Sequence, residues 1–138
     1  MLRFVTVHDT IHRRTNGRVG HRLPGMPPNL LLHSTGAKSG QPRTNTLTYA
    51  NAGNDYLIVA SNGGAHRYPA WYHNVTAHPD VQVNVGGRRF PATARVIGPE
   101  DADYARLWDI VNANNANRYR DYQTKTSRPI KVIVLSPR

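Results

Sequence analysis

The sequence contains no cysteine, which excludes disulfide bonds, thiolate metal ligands and thiol nucleophiles. It also lacks any run of about 18 apolar residues, and its first residues have no apolar core of signal-peptide length. We therefore expect a soluble, cytoplasmic protein. With 138 residues, the chain suits one domain, which at this size buries about two-thirds of the surface exposed by the unfolded form.

Acidic residues are scarce, with 8 Asp and Glu against 18 Lys and Arg, so the formal net charge is +10. The imbalance is concentrated in residues 1–54, where Asp9 is the only acid. The cations of this part are Arg3, Arg13, Arg14, Arg18, Arg22, Lys38 and Arg43. This part of the chain therefore suits an anionic partner. Net charge alone does not distinguish nucleic acid, an acidic membrane surface and a phosphorylated small molecule.

The pattern of breaks and apolar residues divides the chain into an arm and a folded domain. Glycine and proline interrupt regular structure before residue 30, so 1–29 is predicted to be a basic arm and 30–138 the domain. Apolar or alternating runs predict about six strands, at 30–32, 44–50, 56–60, 81–85, 90–96 and 130–135. Turn residues at 51–55 predict a hairpin between the second and third strands, and Gly86-Gly87 predicts another between the fourth and fifth.

Two helices are expected. Pro69 is placed to begin a short helix, PAWYHNVTA, and Pro99 with the acids after it to begin a longer one. The longer helix has one apolar face, made of Tyr104, Leu107, Trp108 and Val111. Residues 112–128 are too polar to be expected in the core. Strands and helices do not alternate, so a mainly β (α+β) fold is favoured, a small barrel of mostly antiparallel strands.

A glycine-punctuated basic segment, HSTGAKSGQPR at residues 33–43, is the first candidate site. Backbone amides near Gly36 and Gly40 can form a concave anion site, and Arg43 can donate two hydrogen bonds to a phosphate or carboxylate. An ordinary solvated hairpin turn explains the composition equally well. The segment lacks the GKS or GKT ending of a phosphate-binding P-loop.

Three further clusters are candidates, each with a structural alternative. Ser61 and Asn62 offer polar groups next to glycines but also fit a simple turn. The cluster from Trp71 to Asn74 is aromatic and polar, although a lone tryptophan is usually part of a core. Tyr119 and Tyr122 share a face on a helical turn and would line a pocket or stay half-exposed. The seven histidines form no tight ligand motif, so no metal site is expected.

Several motifs together identify a resemblance. GAKSGQPR, VASNGG, PAWYHN and RYRDYQTKTSRPI, in this order, resemble the deazaflavin-dependent nitroreductase family, whose members are split β-barrels that use coenzyme F420. The resemblance implies that the loop binds the phosphate and oligoglutamate tail, that the next strand lies beside the cofactor, and that two later segments contact the deazaflavin ring. The residues in these four groups are Ala37, Lys38, Ser39 and Arg43; Thr44, Asn45, Thr46, Leu47 and Thr48; Val59, Ala60, Ser61 and Asn62; and Ala70, Trp71, Tyr72, His73 and Asn74.

The resemblance also implies an activity, the transfer of a hydride from reduced coenzyme F420 to a quinone-like or nitroaromatic acceptor. Ser61, Tyr119 and Tyr122 are then the catalytic candidates, as hydrogen-bond donors to the oxygen on which charge develops. Two alternatives stay open, an FMN-binding oxidoreductase of the same fold and a cofactor-binding protein without activity.

The sequence also bears on the macromolecular partners of the chain. Nucleic acid is not expected, because no RNA-binding signature is present. A weak contact of the arm, through Leu2, Phe4 and Val5, with the inner face of a membrane stays open. So does the choice between a monomer and a homodimer.

Overall fold

A computed structural model describes residues 27–138. Within them, the strands are β1 (Asn29–Thr35), β2 (Pro42–Thr48), β3 (Ala50–Ala52), β4 (Asp55–Val59), β5 (Asp80–Val85), β6 (Arg88–Ile97) and β7 (Val132–Pro137). The helices are α1 (Ala70–Ala77), α2 (Tyr104–Asn114) and α3 (Arg118–Gln123), and Asn62–Gly64 forms a 3-10 turn. The predicted arm lies almost entirely outside the described residues, so the division at residue 30 stays a prediction.

The described strands form one sheet in the order β2-β1-β5-β6-β7-β4-β3, and every neighbouring pair is antiparallel. The predicted mainly β (α+β) class with antiparallel strands is confirmed. Strands β2 and β3 are separated only by Tyr49 in the sequence, yet they lie at opposite ends of this order. The sheet therefore has to curl until its two edges approach each other, which produces a barrel.

Strand β4 is buried on both faces and separates two apolar clusters. Ile58 packs in one cluster with Trp71 of α1, and Leu57 packs in the other with Leu107 and Val111 of α2. Strand β7 alternates between the same two clusters. Each fully buried leucine or isoleucine contributes about 1.5–3 kcal/mol through the hydrophobic effect. Strand β4 is therefore a central strand covered on both faces, and the predicted apolar face of α2 packs on the sheet.

The two predicted hairpins have different outcomes. β5 and β6 pair around Gly86-Gly87 as expected. The hairpin at 51–55 also forms, but its first strand is β3, not the whole of 44–50. Residues of β2 pair with β1 instead, for example Leu47 with Leu30. The backbone breaks at Tyr49, whose N–H donates to the carbonyl of Pro28 at 3.0 Å.

Two predictions about the helices need correction. The longer helix begins at Tyr104, because residues 99–103 form a turn in which Asp101 Oδ2 accepts from the Gly98 amide at 3.0 Å. Residues 112–128 do contribute to the interior: Asn112 is 0% exposed and Tyr119 is 6% exposed. Asn112 donates to the Trp108 carbonyl and accepts from the Arg120 amide, both at 2.9 Å, so its polar side chain joins α2 to α3.

None of the helices between residues 27 and 138 combines the length and hydropathy needed to cross a membrane. The residues named for contact with a membrane surface, Leu2, Phe4 and Val5, lie outside the described part of the chain.

Candidate functional site

The loop between β1 and β2 is an ordered turn with its cations at the surface. The Gly36 amide donates to the Gln41 carbonyl at 2.8 Å, and the Gly40 amide donates to the Gly36 carbonyl at 3.0 Å. Gly40 has a φ of +70°, a conformation that a glycine adopts at little cost. Lys38 and Arg43 are exposed, so both charges are accessible to a ligand.

One buried side chain connects this loop to α1. The amide of Ala37 donates to Asn74 Oδ1 at 2.9 Å, and Asn74 is buried. Asn74 is held there because Trp71 and Val75, on the same helix, pack in the core beneath it. The hydrogen bond therefore fixes the position of the loop relative to α1.

A cleft of about 700 Å³ opens between the loop, the beginning of β2, the 3-10 turn and the beginning of α1. Its lining residues are Gly36, Ala37, Lys38, Ser39, Arg43, Thr44, Asn45, Asn62, Arg67, Tyr68, Pro69, Ala70, Trp71, His73 and Asn74. This volume is typical of small-molecule sites, which span about 300–1,000 Å³. The lining contains three permanent cations and no acid, so it favours an anionic ligand.

The turn after β4 forms one side of the cleft and has a constrained backbone. Asn62, Gly63 and Gly64 have φ values of +46°, +63° and +83°. A Cβ at Gly64 would lie 2.6 Å from the carbonyl oxygen of Tyr122 in α3. The Asn62 side chain donates to the Arg67 carbonyl at 3.0 Å. The two glycines permit this backbone at little cost, and the turn lies directly against α3.

Aromatic rings form a second wall. Tyr68 and Tyr72 stack with their centroids 4.1 Å apart and an interplanar angle of 15°, and His73 meets both rings at their edges. Burial, followed by the effect of Tyr68, raises the pKa of Tyr72 above its ordinary value. Trp71 is 5% exposed, because most of its ring belongs to the core while its remainder lines the cleft.

The structure brings most of the predicted cofactor residues together. Those that line the cleft are Ala37, Lys38, Ser39, Arg43, Thr44, Asn45, Asn62, Ala70, Trp71, His73 and Asn74. The others are absent from the lining. Thr46, Leu47 and Thr48 continue along β2, Val59 and Ala60 are buried, Ser61 is half-buried before the 3-10 turn, and Tyr72 is half-buried against Tyr68. Their binding roles stay predictions.

Tyr119 and Tyr122 are not among the residues that line this cleft. The Tyr119 ring packs with Leu107 and Val111, and burial raises its pKa to about 12. Tyr122 is half-buried, and its backbone lies against Gly64. Both tyrosines belong to the layer behind the turn, so a catalytic role for either remains a prediction.

The lining includes Gly36, whose backbone amide was a candidate for an anion site, and three residues that were not selected from the sequence: Arg67, Tyr68 and Pro69. Tyr68 directly precedes PAWYHN, whose first residue is Pro69, and an aromatic residue beside a helix start was the available signal. Arg128 was also missed. Its side chain bonds to carbonyl groups more than 60 residues earlier in the chain, which no local pattern indicates.

The fold and the cleft together define a class, an antiparallel β-barrel with a basic cleft beside stacked aromatic side chains. Comparison with known proteins identifies relatives of the same class. The family model described as F420H(2)-dependent quinone reductase matches residues 4–137. An F420H(2)-dependent quinone reductase of Mycobacterium tuberculosis is 62% identical over 137 residues, covering 99% of this chain and 92% of that protein.

Two solved structures are similar. An F420-H2 dependent reductase, FDR-A, shares 37% identity with a TM-score of 0.71, covering 79% of this chain and 94% of that one. A chain described as a domain-swapped dimer shares 32% identity with a TM-score of 0.73, covering 96% and 98%. The chain therefore belongs to the F420H(2)-dependent quinone reductase family. The predictions of a split-barrel, deazaflavin-dependent oxidoreductase with coenzyme F420 as cofactor are confirmed, and FMN is not favoured.

Proposed function

We propose that this protein binds reduced coenzyme F420 in the cleft described above and transfers its hydride to a quinone. The observation that carries the proposal is the acid-free cleft that places Lys38, Arg43 and Arg67 beside an aromatic wall. The phosphate and glutamate groups of this cofactor are anionic, and its ring is flat and aromatic. The lining of the cleft provides one region suited to each part.

The loop supplies the donors for the tail. Arg43 Nη1 donates to the Pro42 carbonyl at 3.1 Å and Arg43 Nη2 reaches Ser39 Oγ at 3.4 Å, so the guanidinium lies across the loop with its other N–H groups available. Charge-assisted bonds from such a group to phosphate or carboxylate are about twice as strong as neutral ones. Lys38 adds a second cation at the tip of the loop. The structure thus fits the anionic tail at this end of the cleft.

The turn and α1 hold the ring. Asn62 of the turn and Trp71 of α1 both line the cleft and restrict where a planar group can lie. When bound, the reduced deazaflavin supplies the hydride, and the protein has to orient it against the acceptor and exclude water. Ser61 is half-buried immediately before the turn, and we assign its hydroxyl as the donor to the acceptor oxygen. Tyr119 and Tyr122 support the turn from behind.

The proposal also covers the acceptor, the oligomeric state and the location of the protein. The description of the family supports a quinone over a nitroaromatic compound as the physiological acceptor. A homodimer is favoured over a monomer by the domain-swapped dimer found for a similar chain, and sedimentation would distinguish the two. A cytoplasmic location, with residues 1–29 in weak contact with a membrane surface, is the environment in which such an acceptor would be met.

The test uses the purified full chain, reduced F420, a panel of small quinones and a nitroaromatic compound. We expect saturable quenching in a fluorescence titration with F420 and quinone-dependent return of the fluorescence of the oxidised cofactor. Reduced FMN, offered at the same concentration, should support little turnover. If F420 neither binds nor is oxidised, the proposed function is rejected; if FMN binds more tightly, the proposed cofactor is rejected.

A further inference from the structure

Arg128 makes an unusual set of contacts for a charged residue. Its Nη1 donates to the Ala60 carbonyl at 3.0 Å, and its Nη2 donates to the Ser61 carbonyl at 2.8 Å and to the Ala65 carbonyl at 2.9 Å. Its Nε donates to Ala65 as well, at 3.1 Å. These acceptors are all backbone groups on either side of the 3-10 turn. Among residues 27–138, Arg128 forms no ion pair within 4 Å with a carboxylate.

The same guanidinium also contacts the aromatic wall. Its central carbon lies 4.3 Å from the centroid of the Tyr68 ring, while the Tyr72 ring lies 4.1 Å from that centroid. Two groups this close cannot share one face of a ring, so Tyr68 lies between Arg128 and Tyr72. The Tyr68 hydroxyl donates to the carbonyl of Pro129 at 2.8 Å, next to Arg128 in the chain. One short segment thus fixes the plane of the ring and its hydroxyl.

Two walls of the cleft therefore depend on one side chain. Asn62 belongs to the turn that Arg128 holds, and Tyr68 is the ring on which it stacks; both line the cleft. The turn has left-handed backbone at three successive residues, of which Asn62 is not a glycine and therefore needs its surroundings to hold it in this conformation. A flat, multidentate cation that bonds several carbonyls at once is suited to this task, and a lysine is not.

We infer that Arg128 is a positioning residue for hydride transfer, acting by holding the 60–65 turn and Tyr68 in fixed positions relative to each other in the cleft lining. The inference rests on the proposed function, in which this turn borders the ring of the cofactor. Arg128 is not among the residues that line the cleft. Its contribution is geometric, because hydride transfer requires the donor carbon and the acceptor at near-contact distance, and displacement by about 1 Å costs about a hundredfold in rate.

The experiment compares Arg128→Met, Arg128→Lys and a matched control, Arg120→Met. Arg120 lies on α3 and bonds Asp109 and Asn117 away from the cleft. The first readout needs no cofactor: hydrogen exchange of the Gly64 and Ala65 amides, which donate to Ser61 and Asn62 within the turn. We expect R128M to accelerate their exchange by about tenfold or more, with the amides of β5 unchanged, and R120M to leave the turn as it is.

The second readout separates binding from chemistry. We expect R128M to lower the single-turnover rate of hydride transfer to a quinone by about tenfold to a hundredfold, while the dissociation constant of F420 changes by less than about threefold. R128K keeps the charge but not the planar fork, so it should restore only part of the rate. If R128M does not fold, the amide exchange of Gly64 and Ala65 in R128K tests the positioning role instead.

Any one of three results would overturn the positioning role. These are unchanged amide exchange in the turn of R128M, a hydride-transfer rate in R128M equal to that of R120M, and full recovery of the rate in R128K. Failure of the proposed function looks different. In that case the wild-type chain neither binds nor oxidises F420, and the exchange measurement on the cofactor-free protein still reports whether Arg128 holds the turn.

Discussion

Replacing Gly64 with alanine tests how closely the cleft turn is packed against α3. Gly64 has a φ of +83°, and a Cβ built on it would lie 2.6 Å from the Tyr122 carbonyl oxygen, 3.2 Å from its Cα and 3.1 Å from Lys125 Cβ. The two nearest groups of Tyr122 belong to the backbone and cannot rotate away. Either the turn or α3 must move.

The expected loss has two parts. A left-handed conformation costs an alanine roughly 1–2 kcal/mol relative to glycine, and forcing an extra methyl group into a packed interior typically costs about 1–3 kcal/mol. We therefore expect Gly64→Ala to lower the free energy of unfolding by about 2–5 kcal/mol. Gly63 is the matched control. Its φ is +63° and nothing lies within 4 Å of its Cβ position, so Gly63→Ala should show only the backbone part.

Urea unfolding of the three proteins at neutral pH measures both effects, and equal m-values would show that the same unfolded state is reached. The movement of α3 should also weaken F420 binding in Gly64→Ala and not in Gly63→Ala. If the two variants differ in stability by less than about 0.5 kcal/mol, which is the usual size of a surface effect, the close contact between the turn and α3 is refuted.

Three further predictions concern the loop, α1 and α3. Lys38→Ala with Arg43→Ala should weaken F420 binding by about tenfold or more, most for long glutamate tails, in fluorescence titrations; equal losses for short and long tails would remove the loop from the tail site. Asn74→Ala should cost about 1 kcal/mol in urea unfolding, because the Ala37 amide loses its acceptor, whereas Asn74→Asp should keep that stability but bind the anionic cofactor less well. Tyr119→Phe should leave quinone turnover unchanged, and a large loss would restore the catalytic role. Since the folded pKa of Tyr119 is about 12 against 10 unfolded, the folded chain retains this proton longer. The free energy of unfolding should therefore decrease as the pH rises from 10 towards 12, by up to about 1.4 kcal/mol per pH unit. The decrease should be less steep in Tyr119→Phe, which lacks the titrating phenol.

The parts of the fold that the sequence predicts are those with a local signal. Alternation of apolar and polar residues in 81–96 predicts β5 and β6, because each strand has one covered face. The glycine pair between them predicts a tight turn. The loop at 33–43 and the PAWYHN helix are likewise recognisable from their own residues. The resemblance to a family then relates these segments, which are separated in the sequence, to one ligand.

The features that the sequence does not reveal depend on distant contacts. Asn112 belongs to a segment with the composition of a surface, and it is buried because its amide group bonds the backbone of two helices at once. The break at Tyr49 follows from the paths of β2 and β3, since no proline or glycine marks it. Arg128 is one of many arginines, and only the folded chain brings its guanidinium to the carbonyls of Ala60, Ser61 and Ala65.

The order of strands also determines when the cleft can exist during folding. The loop follows β1 and the turn follows β4, so both walls come from the first half of the described chain. They are held in place by β5, β6 and β7, which fill the sheet between them and are made later. A partly folded chain without β7 has both segments but no fixed distance between them. We therefore expect the cofactor to stabilise the finished barrel and to bind only after the sheet is complete.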